Sequence, residues 1–139
     1  MSTANRARSG RKGDPWSTTE ASELYEVDRW GQGYFSVGSN GHVLVHATKE
    51  PDRSIDLKQL VDHLQLRGIQ VPVLIRFRDI LRHRLGDIHS AFKSAITQHQ
   101  YEGQYFCVYP IKVNQQRQVV EEILEFGRPY HFGLEAGSK

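Results

Sequence analysis

The sequence predicts an α/β fold with parallel strands, because helix and strand patterns alternate through its second half. Residues 81–96 have helical spacing, residues 105–109 form an unbroken apolar run, and a second helical pattern leads to a strand-like segment at 131–134. A strand that is apolar at every position is typical of a parallel sheet covered on both faces. The chain has 139 residues, whereas a closed eight-stranded barrel needs about 250, so it holds at most the opening of one.

The composition is that of a globular chain. Hydrophobic residues make up 38% of the chain, which suffices for a core. Charged residues make up 24%, with a formal net charge of +2, and this charged fraction is ordinary for a folded domain. No apolar run approaches the length of a transmembrane helix. A single cysteine, Cys107, excludes an internal disulfide and a multi-thiolate zinc site.

Residues 1–15 are predicted to be a disordered basic tail. The segment is poor in apolar residues and has a local charge of +3, which leaves −1 for the rest of the chain. It lacks the apolar core of a secretory signal. Both a solvated tail and an arm for nucleic acid or targeting stay open, although the remainder offers no extended basic stripe. Its charged residues are Arg6, Arg8, Arg11, Lys12 and Asp14.

Residues 16–70 are predicted to form a β-hairpin followed by a helix. β-forming residues flank Ser39-Asn40-Gly41, and Asn-Gly supplies the two positive-φ positions of a type I′ turn. After a surface connection, apolar residues from Leu57 to Leu64 have the spacing of a short amphipathic helix, which Gly68 caps.

Residues 71–139 are predicted to be the first β/α units of a parallel sheet. Pro72 leads into a short strand at Val73–Ile75. A longer helix, the buried strand at 105–109, a helix that begins at an Asn114 cap and ends at Gly127, and the strand at 131–134 follow. This last strand would lie at a sheet edge without a neighbour, so we expect the sequence to be partial. The two helical stripes are Leu81, Leu85, Ile88, Phe92 and Ile96, and then Val119, Val120, Ile123 and Leu124.

Lys112 is the candidate for chemistry, because it lies where a buried strand ends and a helix is about to begin. In β/α barrels the active site occupies this end of the strands. Apolar neighbours such as Ile111 and Val113 would desolvate the amine, lower its pKa and make it nucleophilic enough for a Schiff base. A lysine whose stem packs and whose amine simply reaches water fits the same local features.

The motifs around Lys112 resemble those of the biosynthetic arginine decarboxylase family. The resemblance rests on separated blocks in the same order, from about Trp16 to Lys139. They are Asp28-Arg29-Trp30-Gly31, Gly33-Tyr34-Phe35-Ser36-Val37, Arg53-Ser54-Ile55-Asp56-Leu57, Val73-Leu74-Ile75-Arg76-Phe77, Tyr109-Pro110-Ile111-Lys112-Val113-Asn114-Gln115 and Gly133-Leu134-Glu135-Ala136-Gly137-Ser138-Lys139. The wider group is the alanine-racemase-like, or fold-III, enzymes that use pyridoxal 5′-phosphate.

The resemblance implies a fold and a set of roles. The fold is the opening part of a pyridoxal-phosphate-binding (β/α)8 TIM barrel, preceded by a hairpin that belongs with a β-rich domain. Lys112 matches the lysine that binds pyridoxal 5′-phosphate as a Schiff base, and Glu135 matches an acidic position near it, although a strand-end charge that pairs with a cation is equally compatible. Tyr109 and Asn114 are expected to pack and cap, and Cys107 to be a small buried hydrophobic residue.

The implied enzyme is a cytoplasmic homo-oligomer that converts L-arginine to agmatine and carbon dioxide for polyamine synthesis, with Mg²⁺ as a further cofactor. The resemblance places the ring-nitrogen partner, the phosphate loop, the metal ligands and the arginine-reading residues beyond Lys139. The chain alone is therefore expected to be an inactive N-terminal fragment, with neither nucleic acid nor membrane as a partner.

Two weaker signals do not develop into sites. The seven histidines lack ligand spacing, since His42 and His46 fall on a predicted strand and the others at different helical phases. Gly31-Gln32-Gly33 begins like a dinucleotide loop, but Ser36 occupies the third glycine position and a strand follows. Besides the decarboxylase, a non-catalytic pyridoxal-phosphate-binding barrel and a nucleic-acid-binding module that uses the tail remain alternatives.

Overall fold

The computed structural model describes residues 15–50 and 52–137. The predicted tail, apart from Pro15, lies outside the described residues. Two short helices that the sequence pattern did not indicate open the fold, α1 (Thr18–Leu24) and α2 (Val27–Gly31). Ser17 begins α1 with a capping box: its hydroxyl accepts from the Glu20 N–H at 3.1 Å, and the Glu20 carboxylate accepts from the Ser17 N–H at 2.9 Å.

The predicted hairpin is confirmed, but its turn is of another kind. Strand β1 (Phe35–Val37) pairs antiparallel with β2 (Val43–Val45), and β2 pairs with β3 (Ile55–Asp56). The type I′ turn is wrong, because the last strand pair is Val37 with Val43, which leaves a loop longer than two residues. Within it Gly41 has a φ of +81°, whereas Asn40 is not in the left-handed region and instead accepts a hydrogen bond from the His42 N–H.

The predicted helix after the hairpin is also confirmed, as α3 (Leu57–Leu66). The Asp56 side chain caps its start by accepting from the Gln59 N–H at 3.1 Å. At the other end, the Gly68 N–H donates to the Gln65 carbonyl and the Ile69 N–H to that of Leu64. Gly68 has a φ of +83°, the left-handed conformation that makes glycine the preferred residue there.

The second half contains the predicted alternation of helices and strands. Helix α4 (Arg78–Gln98) precedes β4 (Val108–Pro110), and α5 (Arg117–Gly127) connects β4 to β5 (Gly133–Glu135). Strands β4 and β5 pair in parallel, from Val108 opposite Gly133 to Pro110 opposite Glu135. The α/β class and the parallel pairing are confirmed. The described residues close no barrel, so the barrel stays a prediction.

Helices α4 and α5 pack on one face of the parallel pair. The buried cluster there consists of Leu85 from α4, Phe126 from α5 and Phe132, with Cys107 and Tyr130 partly buried against it. Cys107 thus has the packing role that the sequence predicts. In α5, Phe126 is in the core while Leu124 is 42% exposed. The buried face of the helix therefore includes Phe126, whereas the sequence pattern assigned Leu124 to it.

A close approach between α5 and the start of β5 depends on glycine. A Cβ atom on Gly127 would lie 2.5 Å from the Cβ of Phe132, which is far below a van der Waals contact. Phe132 therefore packs directly against the helix end before the chain enters β5. The same glycine ends the helix, as predicted.

Two predicted strands differ from the structure. Val73–Ile75 is not a strand, and Leu74 is 74% exposed, because no strand among the described residues pairs with this segment. The buried strand predicted at 105–109 is wrong in extent and in burial: β4 covers Val108–Pro110, and Phe106 and Val108 are 59% and 53% exposed. Helices cover only one face of the pair, so the side chains that point to the other face meet solvent.

None of the helices in the described part of the chain is both long enough and apolar enough to cross a membrane.

Candidate active site

Lys112 lies immediately beyond the carboxyl end of β4. The strand ends at Pro110, and Ile111–Val113 form a single 3₁₀ turn that carries the lysine. Pro110 is paired with Glu135 in β5. Because the strands are parallel, their carboxyl ends share one edge of the sheet, and both predicted site residues lie at that edge.

The Lys112 amine and the Glu135 carboxylate border the same space. A Cβ atom built on Gly137 would lie 3.5 Å from Nζ of Lys112 and 2.8 Å from Oε1 of Glu135. Ten pairs of acidic and basic side chains lie within 4.0 Å among the described residues, and they include neither Lys112 nor Glu135. The amine and the carboxylate are thus close to each other without being joined in a direct ion pair.

The predicted burial of the amine is wrong for the described residues. Lys112 is exposed, its neighbour Val113 is 71% exposed, and only Ile111 is half-buried. The apolar neighbours are present, as the sequence indicates, but they lie in the turn beyond the strand and do not enclose the amine. Apolar residues desolvate a charge only when other groups complete the enclosure.

The loop after Lys112 is fixed by Tyr109 and Asn114. The Tyr109 hydroxyl donates to the backbone carbonyl of Asn114 at 3.1 Å, and the Asn114 Oδ1 accepts from the Gln116 N–H at 3.0 Å. Asn114 is therefore not the N-cap of α5, whose N-cap is Gln116 without a side-chain hydrogen bond. Its carboxamide instead closes a turn one step earlier. These two residues anchor the segment of chain between the lysine and the start of α5.

Sequence reasoning missed Gly137. The signal available was a glycine two positions after the acidic residue of a parallel strand, and only the fold shows that it adjoins the amine of another strand. Three of the seven histidines bond to other side chains: His42 contacts Asp56 at 2.7 Å, His46 contacts Ser36 at 2.8 Å, and His83 contacts Tyr34 at 2.7 Å. No group of three potential metal ligands occurs within residues 15–50 and 52–137.

One large cleft lies away from these residues. A space of about 650 Å³ opens at the amino ends of β4 and β5, where His89, Lys93, Phe106 and His131 line it. Active-site groups of parallel α/β folds collect at the opposite, carboxyl ends of the strands. We therefore identify the edge that carries Lys112 and Glu135 as the candidate active site.

Comparison with known proteins confirms the resemblance seen in the motifs. The chain is 52% identical over 124 residues to the biosynthetic arginine decarboxylase of Rhodopirellula baltica and also to that of a Synechococcus species, and 48% identical to that of Geotalea daltonii. Each match covers 89% of this chain. The chain spans about a fifth of the length of these curated relatives, 19% to 20%. No protein-family model matches it.

Proposed function

We propose that this chain is the N-terminal part of an arginine decarboxylase, and that Lys112 holds pyridoxal 5′-phosphate in it. The observation that carries the proposal is the shared space at the sheet edge, where the Lys112 amine, which forms no ion pair among the described residues, and a carboxylate lie around a glycine. The similarity to biosynthetic arginine decarboxylases over 89% of the chain supports the choice of reaction.

The residues at this edge fit the cofactor. An aldehyde group needs an amine that is free of an ion pair, and Lys112 has none among the described residues. It also needs room beside that amine, and the absence of a side chain at Gly137 provides it. When bound, pyridoxal 5′-phosphate supplies an electron sink for cleavage of the bond to the substrate carboxylate.

The chain's own residues would bind the cofactor and orient the substrate. Lys112 would hold the cofactor through Nζ. Glu135, at the same edge, would place a negative charge beside the ammonium group of the substrate and so orient it. The hydrogen bonds of Tyr109 and Asn114 hold the loop that carries the lysine. In the overall reaction, L-arginine loses its carboxylate as carbon dioxide and gains a proton, which gives agmatine.

We place the parts that this chain does not supply on the remaining four-fifths of the enzyme. These include the ring-nitrogen partner, the phosphate loop, the groups that select arginine, and the contacts of a homo-oligomer, all in a cytoplasmic enzyme of polyamine synthesis. The described residues hold no group of three potential metal ligands, so we assign none of them to the Mg²⁺ that the resemblance implies.

Capture of the cofactor tests the proposal directly. The full chain is mixed with pyridoxal 5′-phosphate, the product is reduced with borohydride, and the labelled residue is located by peptide mass spectrometry. We expect saturable labelling of Lys112 in preference to the other five lysines. Lys112→Ala should remove it. Lys93→Ala, which changes an exposed lysine of α4, is the matched control and should retain it.

Equal labelling of all lysines, or undiminished site-specific labelling in Lys112→Ala, would contradict the assignment. The reaction itself is tested in the enzyme at the length of its relatives, where Lys112→Ala should abolish release of carbon dioxide from L-arginine. Full activity of that variant would exclude Lys112 as the cofactor-holding residue.

A further inference from the structure

We propose that Gly137 keeps open the space between the Lys112 amine and the Glu135 carboxylate, and so determines how large a group Lys112 can carry. The inference rests on the proposed function, because it assumes that Lys112 holds an aldehyde cofactor. It adds a residue that neither the sequence pattern nor the resemblance assigns to the site.

A side chain at this position would crowd the end of the Glu135 side chain and lie beside the Lys112 amine. A Cβ atom on Gly137 would approach Oε1 of Glu135 to 2.8 Å, closer than carbon and oxygen atoms pack, and would lie 3.5 Å from Nζ of Lys112. A methyl group would therefore occupy the volume that both functional groups face. It would stand directly beside the nitrogen that the proposed cofactor has to reach.

Neither backbone conformation nor packing accounts for glycine here. The described glycines with positive φ are Gly33, Gly41 and Gly68, so position 137 does not need glycine for a left-handed backbone. Gly137 is exposed, so no buried neighbour requires its small size. The contacts that a side chain would make are with Glu135 and Lys112. The space shared by these two side chains is therefore the physical reason for a glycine at position 137.

Alanine at position 137 is a clean probe of this space. The atom it would displace is the end of the flexible Glu135 side chain, which can rotate away without moving the backbone. We therefore expect Gly137→Ala to fold normally. In this variant the Glu135 carboxylate should be shifted and the volume beside the Lys112 amine partly filled. The matched control is Gly133→Ala in β5, where a Cβ would meet only Cγ1 of Val108 at an ordinary 3.5 Å.

The experiment compares two reagents on Lys112. Pyridoxal 5′-phosphate with borohydride reduction measures capture of a bulky aldehyde, and acetic anhydride measures access to the amine by a small acylating reagent. In Gly137→Ala we expect cofactor capture at Lys112 to fall roughly tenfold, the usual effect of one misplaced methyl group in a binding site. Acetylation of the exposed amine should stay close to the wild-type rate, because a small reagent still reaches it from solvent, and Gly133→Ala should resemble the wild type with both reagents. Circular dichroism verifies that each variant is folded.

The outcomes separate this inference from the proposed function. If wild-type Lys112 captures no pyridoxal 5′-phosphate, the proposed function and this inference both fail. If the wild type and Gly137→Ala capture it equally, only the role of Gly137 is overturned. A double-mutant cycle with Glu135→Ala gives a second readout, which tests whether the effect of Gly137→Ala passes through Glu135. Because the contact at 2.8 Å is with Glu135, Gly137→Ala should reduce capture less in the Glu135→Ala background, and strict additivity would refute the proposed crowding.

Discussion

The hydroxyl of Tyr34 offers the sharpest test of how the two halves of the chain are joined. Tyr34 is 5% exposed, and its hydroxyl lies 2.7 Å from Nδ1 of His83 on α4. The two rings also meet edge to face, with centroids 5.6 Å apart. Within the described residues, this is the one side-chain hydrogen bond under 3.5 Å between residues 15–70 and 71–137.

Tyr34→Phe should lower the free energy of unfolding by about 1 kcal/mol, the usual net value of a buried neutral hydrogen bond. The phenyl ring keeps the edge-to-face contact and the burial, so no cavity term is added. The His83 side chain is 34% exposed, so water can take the place of the Tyr34 hydroxyl and the substitution does not leave a buried polar atom without a partner. The measurement is urea unfolding of the full chain at neutral pH.

A matched control is Tyr25→Phe, since Tyr25 is 69% exposed and its change should stay within about 0.5 kcal/mol. A loss of more than about 3 kcal/mol in Tyr34→Phe would mean that the ring has moved. No loss at all would mean that the Tyr34–His83 hydrogen bond does not join the two halves in solution. Either result would refute the reasoning.

The same residue predicts a dependence on alkaline pH. Burial raises the pKa of Tyr34, the Asp87 charge raises it further, and Arg84 opposes the shift. A folded-state pKa above the unfolded value of about 10 means that the unfolded chain loses this proton first. The stabilisation is therefore complete below about pH 10 and is lost as the pH rises through the folded-state pKa. Tyr34→Phe should flatten this alkaline decline, and an unchanged slope would contradict the assignment to Tyr34.

Two further substitutions test the core and the start of α3. Leu85→Ala should lower the free energy of unfolding by about 2 to 5 kcal/mol, because it empties a buried position against Phe132; a loss below about 1 kcal/mol in urea unfolding would show that α4 does not pack there. Burial raises the pKa of Asp56, but hydrogen bonds from His42, the Gln59 N–H and Asn40 outweigh it and leave that pKa lowered. Its stabilisation is therefore present above the unfolded value near 4 and lost as the pH falls through the folded-state pKa. Asp56→Asn should make unfolding less dependent on pH in this acid range, and an acid decline equal to that of the wild type would exclude Asp56 as its source.

The elements that the sequence predicted are those defined by local patterns. Helices α3, α4 and α5 follow from apolar spacing, and the hairpin follows from β-forming residues around Asn40-Gly41. Each of these patterns determines a structure from neighbouring residues alone. The capping box at Ser17 was equally local, and the helix that follows it could have been found from Ser17 and Glu20.

The strands show where local patterns end. Val73–Ile75 and the run at 105–109 have similar apolar character, yet only Val108–Pro110 forms a ladder, because β5 is there to pair with it. Whether a segment becomes a strand depends on a partner that can be far along the chain. The burial expected for Phe106 fails for the same reason, since a second covering layer is a property of the assembled sheet.

In the candidate site, too, some features follow from local sequence order and others depend on strand pairing. The location of Lys112 at the carboxyl end of a strand could be predicted, because it depends on the order of strand, turn and helix. The role of Gly137 could not, since it depends on the parallel register that brings Glu135 beside Pro110.

The glycine at the end of α5 extends the site's sensitivity to mutation beyond the residues that border it. A side chain at Gly127 would strike Cβ of Phe132 at 2.5 Å and Cγ at 2.9 Å, and Cβ is too close to the backbone to rotate away. Relief would require displacing the chain just as it enters β5, the strand that carries Glu135. Substitution of Gly127 would therefore disturb two things at once, the packing of the Phe132 ring in the core and the alignment of the Glu135 carboxylate on β5.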